Sequence, residues 1–166
     1  MIDSNGTVAS DSDILGENAD AVITLFNGTR ARGFVTSRDA GSGMAFFRTV
    51  ATSSDGKPIG WKPASVAAQA PVLGQTVIAL SGKSIFRVDD GIMTALIPGD
   101  SVNTLRTDVI DTNISADAIL PGSILINTDG EIVGMSTGVS RMVSAGGFIS
   151  SSALIKSGMV EKKPTQ

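Results

Sequence analysis

The chain has no histidine, no cysteine and no tyrosine among its 166 residues. Each absence removes a chemistry. Without imidazole there is no His general base and no haem axial His; without a thiol there is no Cys nucleophile, Cys/His zinc site or iron–sulfur cluster. Aromatic residues make up 4% and charged ones 17%, against 42% hydrophobic. Disorder is therefore disfavoured, and the core must be built from Val, Ile, Leu, Ala and Met. No apolar run approaches the ~20 residues that span a bilayer, and Met1-Ile2-Asp3-Ser4 does not resemble a signal peptide, so this segment is expected to make no membrane contact. The net charge is -3, with basic residues scattered and densest at Lys162-Lys163. A phosphate-tracking surface needs clustered Lys and Arg, so no nucleic-acid partner is expected. A thiol-free chain suits an oxidising or a reducing compartment equally.

What is present is a series of short apolar runs separated by turn signals. Asn27-Gly28 stands between Ala21–Phe26 and Arg30–Thr36, which predicts a β-hairpin with a type I′ turn, since both central residues of that turn need φ > 0. Met44–Val50 is a further strand, and Ser54-Asp55-Gly56-Lys57-Pro58 a loop. Trp61 to Pro71 lacks periodicity, carries Pro63 and Pro71, and reads as a connection between two halves. Beyond it, Thr76–Leu80, Ser84–Val88, Gly91–Ile97, Thr107–Ile110, Ser123–Ile126, Glu131–Met135 and Gly147–Ile149 have strand character. Asn127-Thr128-Asp129-Gly130 supplies a second tight hairpin. Strands at this spacing predict a sandwich or barrel. Only the end looks helical, with Ser151-Ser152 capping Ala153–Ser157 and Gly158 closing it. The expected divisions are 1–67, 68–150 and a helix with tail at 151–166.

The runs Leu73-Gly74-Gln75-Thr76-Val77-Ile78-Ala79-Leu80-Ser81-Gly82 and Val88-Asp89-Asp90-Gly91-Ile92-Met93-Thr94-Ala95-Leu96 resemble the second barrel of trypsin-like serine proteases of the HtrA/Deg type. Leu125 to Gly134 is similar to the strand pair that follows the nucleophile of that family. Gly147-Phe148-Ile149 and the closing helix, and upstream Asp20 to Arg48, extend the likeness to about residues 6 to 158. The resemblance implies an all-β fold of two antiparallel six-stranded barrels with the active site in the cleft between them. The family has one or two strands before its His-bearing strand, whereas five residues precede Gly6. The first barrel is therefore expected to be incomplete as given: either the chain is a fragment of a longer protein, or a partner strand or altered packing closes the gap left by unpaired backbone.

The chemistry departs from the pattern. In Gly6–Leu15, which resembles the strand ending in the catalytic His, the matching position is Asp13. In Arg38–Ala45, which resembles the segment bearing the triad carboxylate, it is Gly43. An ungapped match anchored on Asn127-Thr128-Asp129-Gly130 puts Pro121 at the nucleophile, while a gapped match on Pro121-Gly122 leaves Ser123. A serine hydroxyl needs a base to take its proton, and an exposed carboxylate, with a pKa near ~4, is too weak a base. Proline at the nucleophile would also remove an oxyanion-hole N–H. The sequence therefore predicts a catalytically inactive homologue that takes no cofactor and binds or scaffolds protein. The alternatives are a residual serine hydrolase with a nonstandard base and a purely structural oligomerisation module. The resemblance further implies a peptide-pairing edge at Ser136, Thr137 and Gly138, and an extracytoplasmic or membrane-anchored setting for the full-length protein.

Other residue groups favour bland readings. Lys83-Ser84 and Lys156-Ser157 would be Ser/Lys dyads only if neighbours on a strand shared a face, which they do not. Asp11-Ser12-Asp13 lacks the glycine and terminal glutamate of a calcium loop, so no metal is expected there. Asp111-Thr112-Asn113 reads as a turn. Met44, Met93, Met135 and Met142 are expected in or near the core, and Trp61 at the junction of the halves or on a binding surface.

Overall fold

The computed structural model describes residues 1–25, 27–69, 71–82, 85–99 and 107–156. Ten strands, β1 (Thr7–Asp11), β2 (Asp20–Thr24), β3 (Arg30–Asp39), β4 (Met44–Thr49), β5 (Thr76–Ser81), β6 (Arg87–Ile97), β7 (Val109–Thr112), β8 (Ile124–Ile126), β9 (Ile132–Met135) and β10 (Phe148–Ser150), form two sheets. The helices are short: α1 (Ser12–Leu15), α2 (Gly138–Val143), α3 (Ser152–Lys156) and a 3₁₀ turn at Ala116–Ala118. The first sheet runs β1-β4-β3-β2 and stays open, whereas the second closes as a six-stranded antiparallel barrel, β10-β7-β6-β5-β8-β9. This is the all-β double-barrel architecture, with a curled four-stranded sheet as its first half among the described residues.

The alternation of small and apolar residues explains which faces are buried. In the first sheet Ala31, Ala45 and Phe47 are buried on the concave face, where a side chain at Gly33 would meet Phe47. Met44 and Phe46, on the other face of β4, join Ile2 in a cluster with Val109, Ile132, Met135, Ile149 and Leu154 of the second half. A second cluster, with Val77, Met93, Ile110, Leu125, Val133 and Phe148, fills the closed barrel. Met44, Met93 and Met135 are thus core residues, but Met142 is 89% exposed on α2, because the helical turn there points it to solvent.

Several local expectations are refined. The first hairpin forms, but its strands pair out to Leu25 and Thr29, and the left-handed residue is Gly28 alone. The Leu25 N–H reaches the Thr29 carbonyl and Asn27 Oδ1 accepts the Thr29 N–H, so three residues, not two, lie between the paired ends. Ser84–Val88, of which Ser84 lies outside the described residues, and Gly91–Ile97 are not separate strands: Arg87–Ile97 is one strand that pairs with β5 and, from Met93 on and with an irregularity at Met93/Ala95, with β7. Asp111-Thr112-Asn113 is a strand end, not a turn: Asp111 accepts hydrogen bonds from Thr94 and Ser144, and Asn113 Oδ1 from the Ile92 N–H. The connection folds back onto both halves. Its Trp61 packs on Gly6 and Thr49 at the end of the first sheet, and Val66 bridges Ile132 in β9. The Lys83-Ser84 pair and the side chains of Lys156-Ser157 lie outside the described residues.

Candidate functional site

Four segments meet where the open sheet abuts the barrel. β1 delivers the first. At its end Asp11 caps α1, its carboxylate accepting the Asp13 N–H at 3.1 Å, and Gly16 closes that single turn with φ +53°. Arg38 of β3 holds the turn in place, donating to Ser12 Oγ and to the Asn18 carbonyl, both at 2.9 Å. Asp13 is therefore presented on a fixed, exposed turn.

The second segment is the β3–β4 turn. Asp39 organises it by accepting from Gly41 N–H and Ser42 Oγ, and the Gly43 carbonyl accepts the Ser12 N–H at 2.8 Å, which joins this turn to α1. Gly43 has φ +70°, and a Cβ there would lie 2.9 Å from Val139 Cγ2 and 3.1 Å from Thr137 Oγ1. No carboxylate stands at this point, and the left-handed backbone now favours glycine.

The third segment, Ala118–Ser123, leads into β8. Its backbone donors are all committed. Ala118 N–H bonds to Ser115, Ile119 to Ala116, Gly122 to Ser136 and Ser123 to Leu120 carbonyls, the Leu120 N–H goes to Ser123 Oγ at 2.9 Å, and Pro121 has none to give. Ser123 is buried, and its hydroxyl donates to the Leu120 carbonyl at 2.7 Å while accepting the Leu120 N–H. Pro121 is exposed, and Gly122 lies beside α1, where a Cβ would come within 3.1 Å of Ile14 Cδ1.

The fourth segment, Ser136 to Arg141, lies against the first two. Asp13 touches Gly138, where a Cβ would fall 2.0 Å from Asp13 Oδ2. Thr137 Oγ1 donates to the Ser42 carbonyl at 2.7 Å and the Gly138 N–H donates to Asp11 Oδ1 at 3.3 Å. Asp11, fully buried, pairs with Arg141 at 3.1 Å, and Arg141 also reaches Ser136 Oγ. Asp13 and Gly43 therefore meet at Thr137–Val139, with Pro121-Gly122 next to Ile14 of the same turn as Asp13. Ser123 pairs with Ser136 through its backbone, while its hydroxyl is tied into its own turn at Leu120.

The expected peptide-pairing edge is corrected. Ser136 and Thr137 are fully buried. The N–H groups of Ser136, Thr137 and Gly138 go to Ser123 O, Ser140 Oγ and Asp11 Oδ1, and the Ser136 and Thr137 carbonyls accept from Gly122 and Arg141. The chain then turns into α2, leaving no N–H at these three positions for an added strand. Sequence reasoning missed α2 and the Asp11–Arg141 pair. Its signal was Thr137-x-x-Ser140, a capping box with serine where glutamate or glutamine is usual. Asp11 had been noted only as a rejected calcium ligand; its oxygens bind N–H groups and a guanidinium instead.

A trypsin-like peptidase domain description matches residues 1–135. The chain belongs to the trypsin-like peptidase family. Among solved structures it is similar to Deg5, with a TM-score of 0.71 at 14% identity over 94% of this chain and 78% of that one. It is also similar to the MamO protease domain from Magnetospirillum magneticum, with a TM-score of 0.64 at 19% identity over 94% and 84%. Likeness at these identities speaks to the fold. No curated protein matches the chain significantly.

Proposed function

We propose that this trypsin-like domain is a pseudoprotease that binds or scaffolds protein and does not hydrolyse peptide bonds. In this reading Asp13, Gly43 and Pro121 occupy the positions of the triad base, acid and nucleophile. The carrying observation is that every backbone N–H from Ala118 to Ser123 already has an acceptor or, at Pro121, does not exist. Pro121 offers no nucleophilic atom, and a substrate carbonyl placed beside it would find no free donor in this segment, one such donor being worth roughly 3–4 kcal/mol of barrier in acyl transfer. The composition supports the same conclusion: no imidazole exists to deprotonate a hydroxyl, and the nearest serine, Ser123, has its hydroxyl engaged in two hydrogen bonds.

A homogeneous sample incubated with casein and with a fluorogenic peptide library, alongside a serine-reactive phosphonate probe, tests the proposal. The expected result is no turnover and no labelling. Turnover that is lost in Ser123→Ala, or phosphonate attached at Ser123, would establish the residual hydrolase instead.

A further inference from the structure

The β5–β6 hairpin carries an apolar strip on the outside of the closed barrel. Val77, Ala79 and Met93 belong to the barrel core, so by strand alternation Ile78 and Leu80 of β5 share the opposite face with Val88, Asp90 and Ile92 of β6. The register sets Leu80 opposite Val88, Ile78 opposite Asp90 and Thr76 opposite Ile92. Leu80 and Ile92 are exposed, Val88 is 69% exposed, and at the hairpin end Ile85 and Phe86 are 77% and 68% exposed. Single exposed apolar side chains are ordinary, but a contiguous set of them marks an interaction surface.

Backbone, size and charge together narrow the occupant. β5 pairs with both β6 and β8, and β6 is flanked beyond β5 by β7 and by segment 113–118, which packs on Gly91 and accepts the Arg87 guanidinium at the Asp117 carbonyl. An incoming chain therefore meets side chains, not an open strand edge, and has to satisfy its own backbone, as a helix does. The six residue pairs from Thr76/Ile92 to Ser81/Arg87 span roughly 17–20 Å along the strands and about 10 Å across them. A helix of about 12 residues has that length and width. The strip is well short of the about 800 Å² that each partner of a stable dimer buries, so a second copy of this chain is the poorer occupant. Asp90 stands in the middle of the strip, and Asp129 lies on the turn that follows Ile126, the partner of Ile78. Both are exposed, and neither forms an ion pair among the described residues. Such charges repel an anionic lipid surface or a nucleic acid and favour a cation. We propose that the outer face of the β5–β6 hairpin docks an amphipathic basic helix of a partner protein. Its apolar stripe covers Leu80, Val88 and Ile92, and a Lys or Arg beside the stripe pairs with Asp90. This names the kind of partner for the protein-binding reading above without resting on the absence of hydrolysis.

The test uses a fluorescein-labelled, lactam-stapled fourteen-residue peptide with Leu along one helical face, Lys flanking that stripe and Gln elsewhere. One counterpart carries Glu in place of Lys, and another has the same residues shuffled so that the stripe is broken. The Lys peptide is expected to bind saturably and to shift the amide resonances of Leu80, Val88 and Ile92. The Glu peptide should bind at least tenfold more weakly and the shuffled one not at all. Val88→Thr/Ile92→Thr keeps β-branched residues on the strand and leaves the barrel core untouched. It should weaken binding of the Lys peptide at least tenfold while circular dichroism and Tm stay near those of the parent. Asp90→Lys should reverse the preference between the Lys and Glu peptides, a readout that a disturbed strand would not produce. Absence of saturable binding up to millimolar Lys peptide, equal binding of the shuffled peptide, unchanged affinity in the double variant or an unreversed preference in Asp90→Lys overturns the proposal. So does tighter binding of a phosphatidylserine vesicle or a single-stranded oligonucleotide than of the Lys peptide, or a dimer in light scattering that the double variant dissolves. Casein turnover by the parent would sink the pseudoprotease reading and leave this surface standing, whereas loss of the peptide result would leave the absence of hydrolysis standing.

Discussion

Asp11 shows how a single side chain ties the two halves together. Its carboxylate is fully buried and receives the Asp13 N–H, the Gly138 N–H and the Arg141 guanidinium, so one group from β1 caps α1 and grips α2 across the groove. Removing one partner of a buried pair leaves the other desolvated and uncompensated, at a cost of about 3–5 kcal/mol. For a chain of this size that is a fall in Tm of roughly 6–20 °C. Arg141→Ala and Asp11→Ala are each expected to fall in this range by thermal melting, and the double variant by clearly less than their sum, since once both charges are gone neither is stranded. Additive losses would mean that the two residues act separately. The same scale shows why Gly43 was only half legible. The likeness of Arg38–Ala45 to the family singles out the position, but sequence carries no sign that the backbone there adopts φ +70° and abuts Val139 and Thr137.

At the scale of elements, the strands were legible as short runs rich in apolar residues between turn signals, some alternating, as Asp20–Thr24 does, and others buried throughout, as Ile132–Met135 is. Asn127–Gly130 behaves as its sequence suggests, with Asn127 Oδ1 accepting the Asp129 and Glu131 N–H groups and Gly130 taking φ +77°. The elements that were missed are those whose conformation is imposed from outside. α2 has six residues, too short to be helical by propensity, and it is held by Thr137 and Arg141, which bond to Ser42 and Asp11 of the first half, and by Ser140, which bonds to Thr137 and Gly147. The turn that starts β1 is held by a different device. Asp3 Oδ1 accepts the Asn5 N–H at 2.9 Å and the Thr7 N–H at 2.8 Å. Burial alone would raise the carboxyl's pKa, but the Thr7 and Asn5 hydrogen bonds and the Arg48 charge outweigh it and hold the group below its usual range. A folded-state pKa below the unfolded one means that the contribution is fully present above the unfolded value, near ~3.9, and disappears as pH falls through the depressed folded value. In urea titrations Asp3→Asn is therefore expected to be less stable than the parent at pH 7. The gap should close on acidification below about pH 4, and a gap that widens there would assign the wrong sign to this carboxylate.

The molecule as a whole depends on the barrel to support the open sheet. A four-stranded sheet with two free edges has little interior of its own: Ala31, Ala45 and Phe47 are its buried concave residues, whereas Ile2, Met44 and Phe46 are buried against Val109, Ile132, Met135 and Ile149 of the other half. These contacts between the halves join residues about a hundred positions apart, which is why the sequence did not show them. The consequence is that the halves should unfold together. Trp61 is the sole tryptophan and packs on Gly6 and Thr49 of the first sheet, so its fluorescence reports that half, while far-UV circular dichroism is weighted toward the closed barrel. In urea the two signals are expected to share one midpoint. Met135→Ala, a truncation in the second half costing about 2–5 kcal/mol, should lower the Trp61 midpoint as much as the dichroism midpoint, since the cavity it leaves lies in the cluster that holds Met44 and Phe46. If the fluorescence midpoint stays in place while the dichroism midpoint falls, the open sheet is stable without the barrel, and the interface is a contact between two independent folding units.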